Sequence, residues 1–224
     1  MCDSYSMDAQ AISDFVQSRG ITRLVHFTPY LNLCGIFNLG GIWPRERIRE
    51  YAQENTEEYL MDYIKWNDQL RLDKREDCIN LSIQRINTFL FKRFKDFPHG
   101  KPWCILEIDP ICMQRLDVSF TIANAASTWV RRYGTQKGIT GLKELYADSI
   151  NDGRRVERRG SHIPMNCPTS VQAEVLYPGV IDISLIKGLV FESDEGARQT
   201  RGMLKTECPS INLPPIKVSP SDFI

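Results

Sequence analysis

Residues 21–41, ITRLVHFTPYLNLCGIFNLGG, read as a strand that ends in a turn and runs directly into a short helix closed by two glycines. In ITRLVHFTPY, β-branched and apolar residues surround His26 and a proline punctuates the end, which places His26 near the C-terminal end of a strand. Leu31, Leu33 and Ile36 then follow at helical spacing, and Gly40 and Gly41 stop the helix as a C-cap does. A strand, a helix and a tight turn within twenty-one residues predict a mixed α and β architecture.

The rest of the chain extends that pattern. Upstream, Ile12, Phe15 and Val16 in residues 8–19 lie on one face of a predicted helix that Gly20 ends. Residues 45–75 are charged and aromatic, as in a solvated helix with its apolar side chains turned inward. Strand-like runs recur at 78–83, 89–94, 103–109, 172–178 and 185–193. Residues 121–150 read as two helical pieces broken near Gly134 to Gly141, and 151–170 as a long basic loop. From Cys208 the chain is Pro-rich and is expected to run extended over the surface. The expectation is one α+β domain over residues 1–224, with central mixed or antiparallel sheets and peripheral helices.

Twenty-eight Lys and Arg balance twenty-eight Asp and Glu, so any nucleic-acid surface must be a local patch and not a global field. The seven cysteines show neither CxxC pairs nor histidine partners at metal-ligand spacing, so they read as reduced thiols and no metal is expected. The N-terminus lacks the pattern of a secretory signal and no apolar run approaches a membrane span, which points to a cytoplasmic protein with no membrane partner.

P-loop, dinucleotide-binding GxGxxG, HExxH and Ser-His-Asp arrangements are all missing. What remains is His26, Arg71 in NDQLRLD, the strand CINLSI followed by Asn87, and Glu174 in VQAEVLYPG. Each has a plain alternative reading. His26 fits a satisfied core histidine, Arg71 one more cation on a charged helix, and Glu174 the wet face of an alternating strand.

Taken together, VHFTPYLNLCGIFNLGGI, RLDKREDCINLSIQRINTFLF and VQAEVLYPGVIDISLIKGLVF, in this order over residues 20–192, resemble the DarT family of DNA ADP-ribosyltransferase toxins. The resemblance implies the ADP-ribosyltransferase fold, NAD⁺ as co-substrate without a metal, and a nucleobase of single-stranded DNA as acceptor. It also implies a bacterial toxin–antitoxin setting with a macrodomain antitoxin as partner, and a monomeric chain is expected. Carried onto this sequence, it makes Glu174 and Arg71 the catalytic pair, with Arg75 as the alternative arginine. The residues expected at NAD⁺ are His26, Phe27, Thr28, Asn32, Leu33 and Arg71. Arg154, Arg155, Arg158 and Arg159, crowded into the loop before Glu174, are the expected DNA contacts, unless they pair internally with Glu157. Gln172, two positions before Glu174, keeps a protein acceptor open, RNA is a further acceptor, and a non-catalytic NAD⁺ or nucleic-acid sensor is the reading from a different class.

Overall fold

The computed structural model describes residues 2–54, 73–96 and 101–224. Twelve strands in this part of the chain are β1 (Leu24–Pro29), β2 (Gly41–Ile42), β3 (Cys78–Ile83), β4 (Trp103–Ile108), β5 (Ser119–Thr121), β6 (Gln136–Lys137), β7 (Ser149–Asn151), β8 (Val156–Arg158), β9 (Glu174–Pro178), β10 (Ile181–Asp182), β11 (Ile186–Phe191) and β12 (Ile216–Val218). The α-helices are α1 (Cys2–Arg19), α2 (Asn32–Asn38), α3 (Arg45–Glu54), α4 (Thr88–Phe94), α5 (Thr128–Tyr133), α6 (Gly138–Glu144) and α7 (Asp194–Glu207). Eight strands form the main sheet in the order β12-β11-β4-β1-β3-β9-β5-β6. Its pairings are antiparallel except for β11 with β12.

This sheet is split in its middle. Strand β1 pairs with β4 along its whole length, from Leu24 opposite Ile108 to Pro29 opposite Trp103, and β3 pairs with β9 over four residues. Between β1 and β3, however, only Leu24 with Ile83 and Val25 with Ser82 are in register. The two half-sheets are therefore joined at one end and part beyond Val25.

Strand alternation decides what faces each side of the junction. Leu24 belongs to the larger core, where α1 and α2 contribute Ile12, Leu33 and Phe37 and the strands contribute Leu81, Leu106, Phe120, Val175 and Phe191. Val25 faces a second core with Phe91, Phe94, Trp103 and Phe223. The sequence places a strand at 89–94, but that segment is a helix. Asn87 takes extended backbone and its side chain accepts from Leu90 N at 3.1 Å, so a helical start is capped, and Phe91 and Phe94, three residues apart, are the face it buries.

The C-terminal part of the chain adds a helix and one further strand. Helix α7 is capped by Ser193, whose Oγ accepts from Gly196 N at 3.2 Å, and carries Asp194 and Glu195 in its first turn. Beyond it, β12 adds a parallel strand to β11, and Phe223 is buried against Phe91. Arg23 latches this tail by donating to Asp222 at 2.9 and 3.1 Å and to Glu107 at 2.8 Å. Cys34, Cys104, Cys112, Cys167 and Cys208 are buried free thiols. Among the described residues no helix is long and apolar enough to cross a membrane.

Candidate active site

The parting of β1 from β3 leaves strand edges whose polar groups need other partners. His26 supplies one, for its ring Nδ1 lies 3.1 Å from Asn80 O. A carbonyl only accepts, so Nδ1 is the donor in this contact. Thr28, two residues on and on the same face, is 3% exposed, and its Oγ1 accepts from Asn32 Nδ2 at 2.9 Å. His26, Thr28 and Asn32 line a cavity of about 110 Å³ whose other walls include Ile36, Ile42 and Trp43.

The two glycines after α2 shape that wall. Gly40 takes a left-handed φ of 72° just beyond the helix, where it ends the turn without a Cβ clash. Gly41 lies in β2 against β10, where a Cβ would come within 2.3 Å of Ile181 O, so the close approach admits only glycine. Trp43 follows, fixed by donation from Nε1 to Leu39 O at 3.2 Å and by edge-on contact with Tyr51.

Two residues expected at the cofactor point elsewhere. Phe27 alternates to the opposite face, with its ring edge-on to Phe91 at 5.5 Å and Trp103 at 5.9 Å. Leu33 is wholly buried in the larger core. Both support the cleft from behind, and neither side chain lines it.

Glu174 opens β9 and is 3% exposed. Because Leu81 is opposite Val175, Asn80 and Glu174 fall on the same face of the sheet. Asn80 Nδ2 donates to Glu174 Oε2 at 3.2 Å, Ala125 N donates to the same oxygen at 2.9 Å, and Asn124 Nδ2 donates to Oε1 at 2.9 Å. Asn124 cannot turn over without loss, since its Oδ1 accepts from Ala126 N at 2.9 Å. Three donors converging on a buried side chain match an ionised, acceptor-only carboxylate. The wet-face reading of Glu174 is thereby excluded.

Asn80 links the two half-sites, because its carbonyl accepts from His26 while its side chain donates to Glu174. Sequence reasoning missed both Asn80 and Asn124. Their partners lie 54, 94 and 50 residues away, and no local pattern marks such contacts. Asn87, which the sequence grouped with the site, is instead the buried cap of α4.

Arg71 lies outside the described residues. Arg75 is directed to its own turn, where Nε donates to Asp77 Oδ1 at 3.1 Å and Nη2 to Cys78 Sγ at 2.9 Å.

The basic segment before Glu174 is a hairpin of β7 and β8 followed by a folded-back loop. Asp152 Oδ1 accepts from both Arg154 N and Arg155 N at 2.9 Å and so shapes the tip. Arg154 and Arg158 are exposed, and Arg155 is half-exposed beside Glu157 at 3.4 Å. Arg159 is directed inward, contrary to expectation, and donates to the carbonyls of Pro164 at 2.7 Å and Cys167 at 2.9 Å. It holds together the loop that leads to Glu174.

A mixed sheet split beside a buried glutamate, with a strand histidine and a short helix along the cleft, is the ADP-ribosyltransferase-like fold. Solved structures that share it include Thermus sp. 2.9 DarT in complex with NAD⁺, at 12% identity and TM-score 0.58 over 91% of this chain and 98% of that one. The same Thermus protein in complex with ADP-ribosylated ssDNA aligns at 12% identity and TM-score 0.56 over 92% and 97%. Thermosipho africanus DarTG in complex with ADP-ribose aligns at 19% identity and TM-score 0.54, over 90% of this chain and 51% of that one. No curated protein matches the sequence. A family model described as "DarT: ssDNA thymidine ADP-ribosyltransferase" matches residues 25–224, and the chain belongs to the DarT family.

Proposed function

We propose that this chain transfers ADP-ribose from NAD⁺ to a thymine of single-stranded DNA and releases nicotinamide, with Glu174 as the base. The observation that carries this reading is the buried Glu174 carboxylate, held by donors from Asn80, Asn124 and Ala125 and tied through Asn80 to His26 at the cleft. The acceptor follows from the family, whose description names thymidine in single-stranded DNA.

The chemistry asks for this layout. As the bond from ribose C1′ to nicotinamide breaks, its electron pair leaves with the pyridine ring and positive charge develops on the ribose, as in glycoside cleavage. The new bond forms between C1′ and a nitrogen of the base. Thymine in DNA has a single N–H, and its proton must leave as the bond forms, so a carboxylate held at hydrogen-bond distance accepts it. Holding both reactants in a cleft makes the encounter effectively unimolecular. The residues present fit NAD⁺, with His26, Thr28 and Asn32 offering polar groups toward the ribose and nicotinamide and Trp43 an aromatic wall. Arg71 is assigned to the pyrophosphate or to a base oxygen that gains charge. Arg154, Arg155 and Arg158 contact phosphates of the strand, and single-stranded substrate follows because the thymine N–H edge is paired in a duplex. The family setting adds a macrodomain antitoxin as partner and a cytoplasmic site of action, with one domain over 1–224 acting as a monomer.

Glu174→Gln tests the assignment. It removes the proton acceptor and also turns an amide N–H toward one of three fixed donors, an unsatisfied contact that costs about 1–3 kcal/mol. Modification of DNA falls by about 10²-fold or more, thermal stability drops by a few degrees, and NAD⁺ affinity is largely retained. A folded variant that transfers at the unaltered rate places the base elsewhere.

A further inference from the structure

The basic hairpin is bracketed by aromatic rings, the exposed Tyr133 and Phe89 and the partly buried Trp129. On one side Trp129 and Tyr133, one turn apart on α5, stack with centroids 4.0 Å apart at 39°. Tyr133 is 61% exposed, and the Arg132 guanidinium lies 5.5 Å from its ring. Gly153, at the hairpin tip, meets Trp129 so closely that a Cβ would come within 2.6 Å of Cε3. On the other side Phe89, on the outer face of α4, is 57% exposed, and Arg155 of the same hairpin lies 5.7 Å from its ring centroid.

Single exposed aromatics are ordinary, but Phe89 and Trp129 against one arginine hairpin, with the exposed Tyr133 stacked on Trp129, form a patch of one chemistry. The patch is joined to the reacting carboxylate through the backbone. Ala125, which bonds Glu174, precedes Trp129 by four residues, so the two backbones lie within about 14 Å. Ala125 also packs on Leu176, whose side chain shares the sheet face of Glu174 and Asn80.

We propose that Trp129, Tyr133 and Phe89 form a base-stacking platform that holds the nucleotides flanking the acceptor thymine, while the hairpin arginines between them take the intervening phosphates. Rings alternating with cations are what a single strand needs, since each base presents a flat face to stack and each linkage an anion to neutralise. A duplex hides those faces, so the platform itself selects single strands. Stacking tolerates any base, so it fixes the strand without reading it. The proposal rests on the DNA-transfer reading above.

The test uses the full chain without NAD⁺, so that nothing turns over, and a fluorescently labelled single-stranded oligonucleotide with one thymine. Phe89→Ala, Tyr133→Ala and Trp129→Ala each weaken binding by about five-fold or more, the range for loss of one stacked base, whereas Tyr133→Phe, which keeps the ring, binds within about two-fold of the unaltered chain. Oligonucleotides made abasic one position at a time locate the stacked bases, and at such a position the Ala substitution and the missing base cost no more together than either alone. With NAD⁺ added, KM for DNA rises in the Ala variants while KM for NAD⁺ and kcat stay near their original values. Unchanged affinity in the Ala variants, or an equal loss on intact and abasic strands at every position, overturns the platform. Failure of the unaltered chain to modify the oligonucleotide overturns the transfer reading, and is told apart because it shows before any substitution is made.

Discussion

At the scale of single residues, the site depends on how the Glu174 carboxylate is held. Asn124 is the sensitive partner, because its amide donates to Glu174 on one side and accepts from Ala126 N on the other. Asn124→Asp preserves the second bond and sets a carboxylate against a carboxylate at hydrogen-bond distance, where one of the two stays protonated. Transfer at neutral pH therefore falls by about ten-fold or more, and the ascending limb of its pH profile moves to higher pH. Asn124→Ala removes one donor but leaves those of Ala125 and Asn80 and adds no second carboxylate, so its rate loss and the alkaline shift of its pH profile are both smaller than those of Asn124→Asp. Rate measurements from pH 5 to 9 on the two variants separate these effects, and an unmoved profile for Asn124→Asp contradicts the role given to Glu174.

Among the secondary-structure elements, the β7–β8 hairpin carries the clearest expectation. Arg154, Arg155 and Arg158 face outward while Arg159 is bonded to its own loop, so the four arginines of the sequence cluster divide into two roles. Replacing the three outward arginines by Ala reduces the slope of log affinity for single-stranded DNA against log salt by about 2, at roughly 0.7 per phosphate contact. Arg159→Ala leaves that slope in place and loosens the loop before Glu174, seen as faster amide exchange over 160–170. A salt slope unchanged in the triple variant removes the hairpin from the DNA surface. That division was not legible in the sequence, where all four arginines look alike, but other features were. The strand at His26, the glycine cap of α2 and the strand of Glu174 follow from local chemistry and stand in the fold. Strand alternation along LVHFTP sets Phe27 on the face opposite His26 and Thr28, a signal overlooked in placing all three at NAD⁺. FLFKRF looked like a strand because aromatic residues favour one, and Asn87 as a cap was the overlooked signal. Ser193 followed by Asp194 and Glu195 likewise announced α7. Asn80 and Asn124 had no such signal, since only the folded sheet brings them to Glu174.

For the molecule as a whole, one charged cluster ties the C-terminal segment to β4 and to the start of β1. Glu107 on β4 accepts from Arg23 at 2.8 Å and from Lys217 at 2.7 Å, and Arg23 also bonds Gln84 O and Asp222. Burial pushes the Glu107 carboxyl up, yet hydrogen bonds from Lys217 and Arg23 outweigh it and hold the group below the ordinary glutamate range. A carboxyl whose folded pKa is depressed stabilises the protein above its unfolded pKa, near 4.5, and loses that contribution as pH falls through the lower folded value. Melting temperature is thus expected to fall as pH is lowered below about 4.5, and Glu107→Gln, less stable at neutral pH, loses less over the same interval. Parallel melting curves for the two proteins between pH 7 and 3 would show that the latch contributes nothing. The central claim, ADP-ribose transfer to thymine in single-stranded DNA, is tested most directly by mass spectrometry of oligonucleotides incubated with the purified chain and NAD⁺. Single strands containing one thymine gain one ADP-ribose, with one nicotinamide released per strand, whereas thymine-free strands and the matching duplex gain little or none. Modification of thymine-free strands, or of protein with none on DNA, contradicts the account.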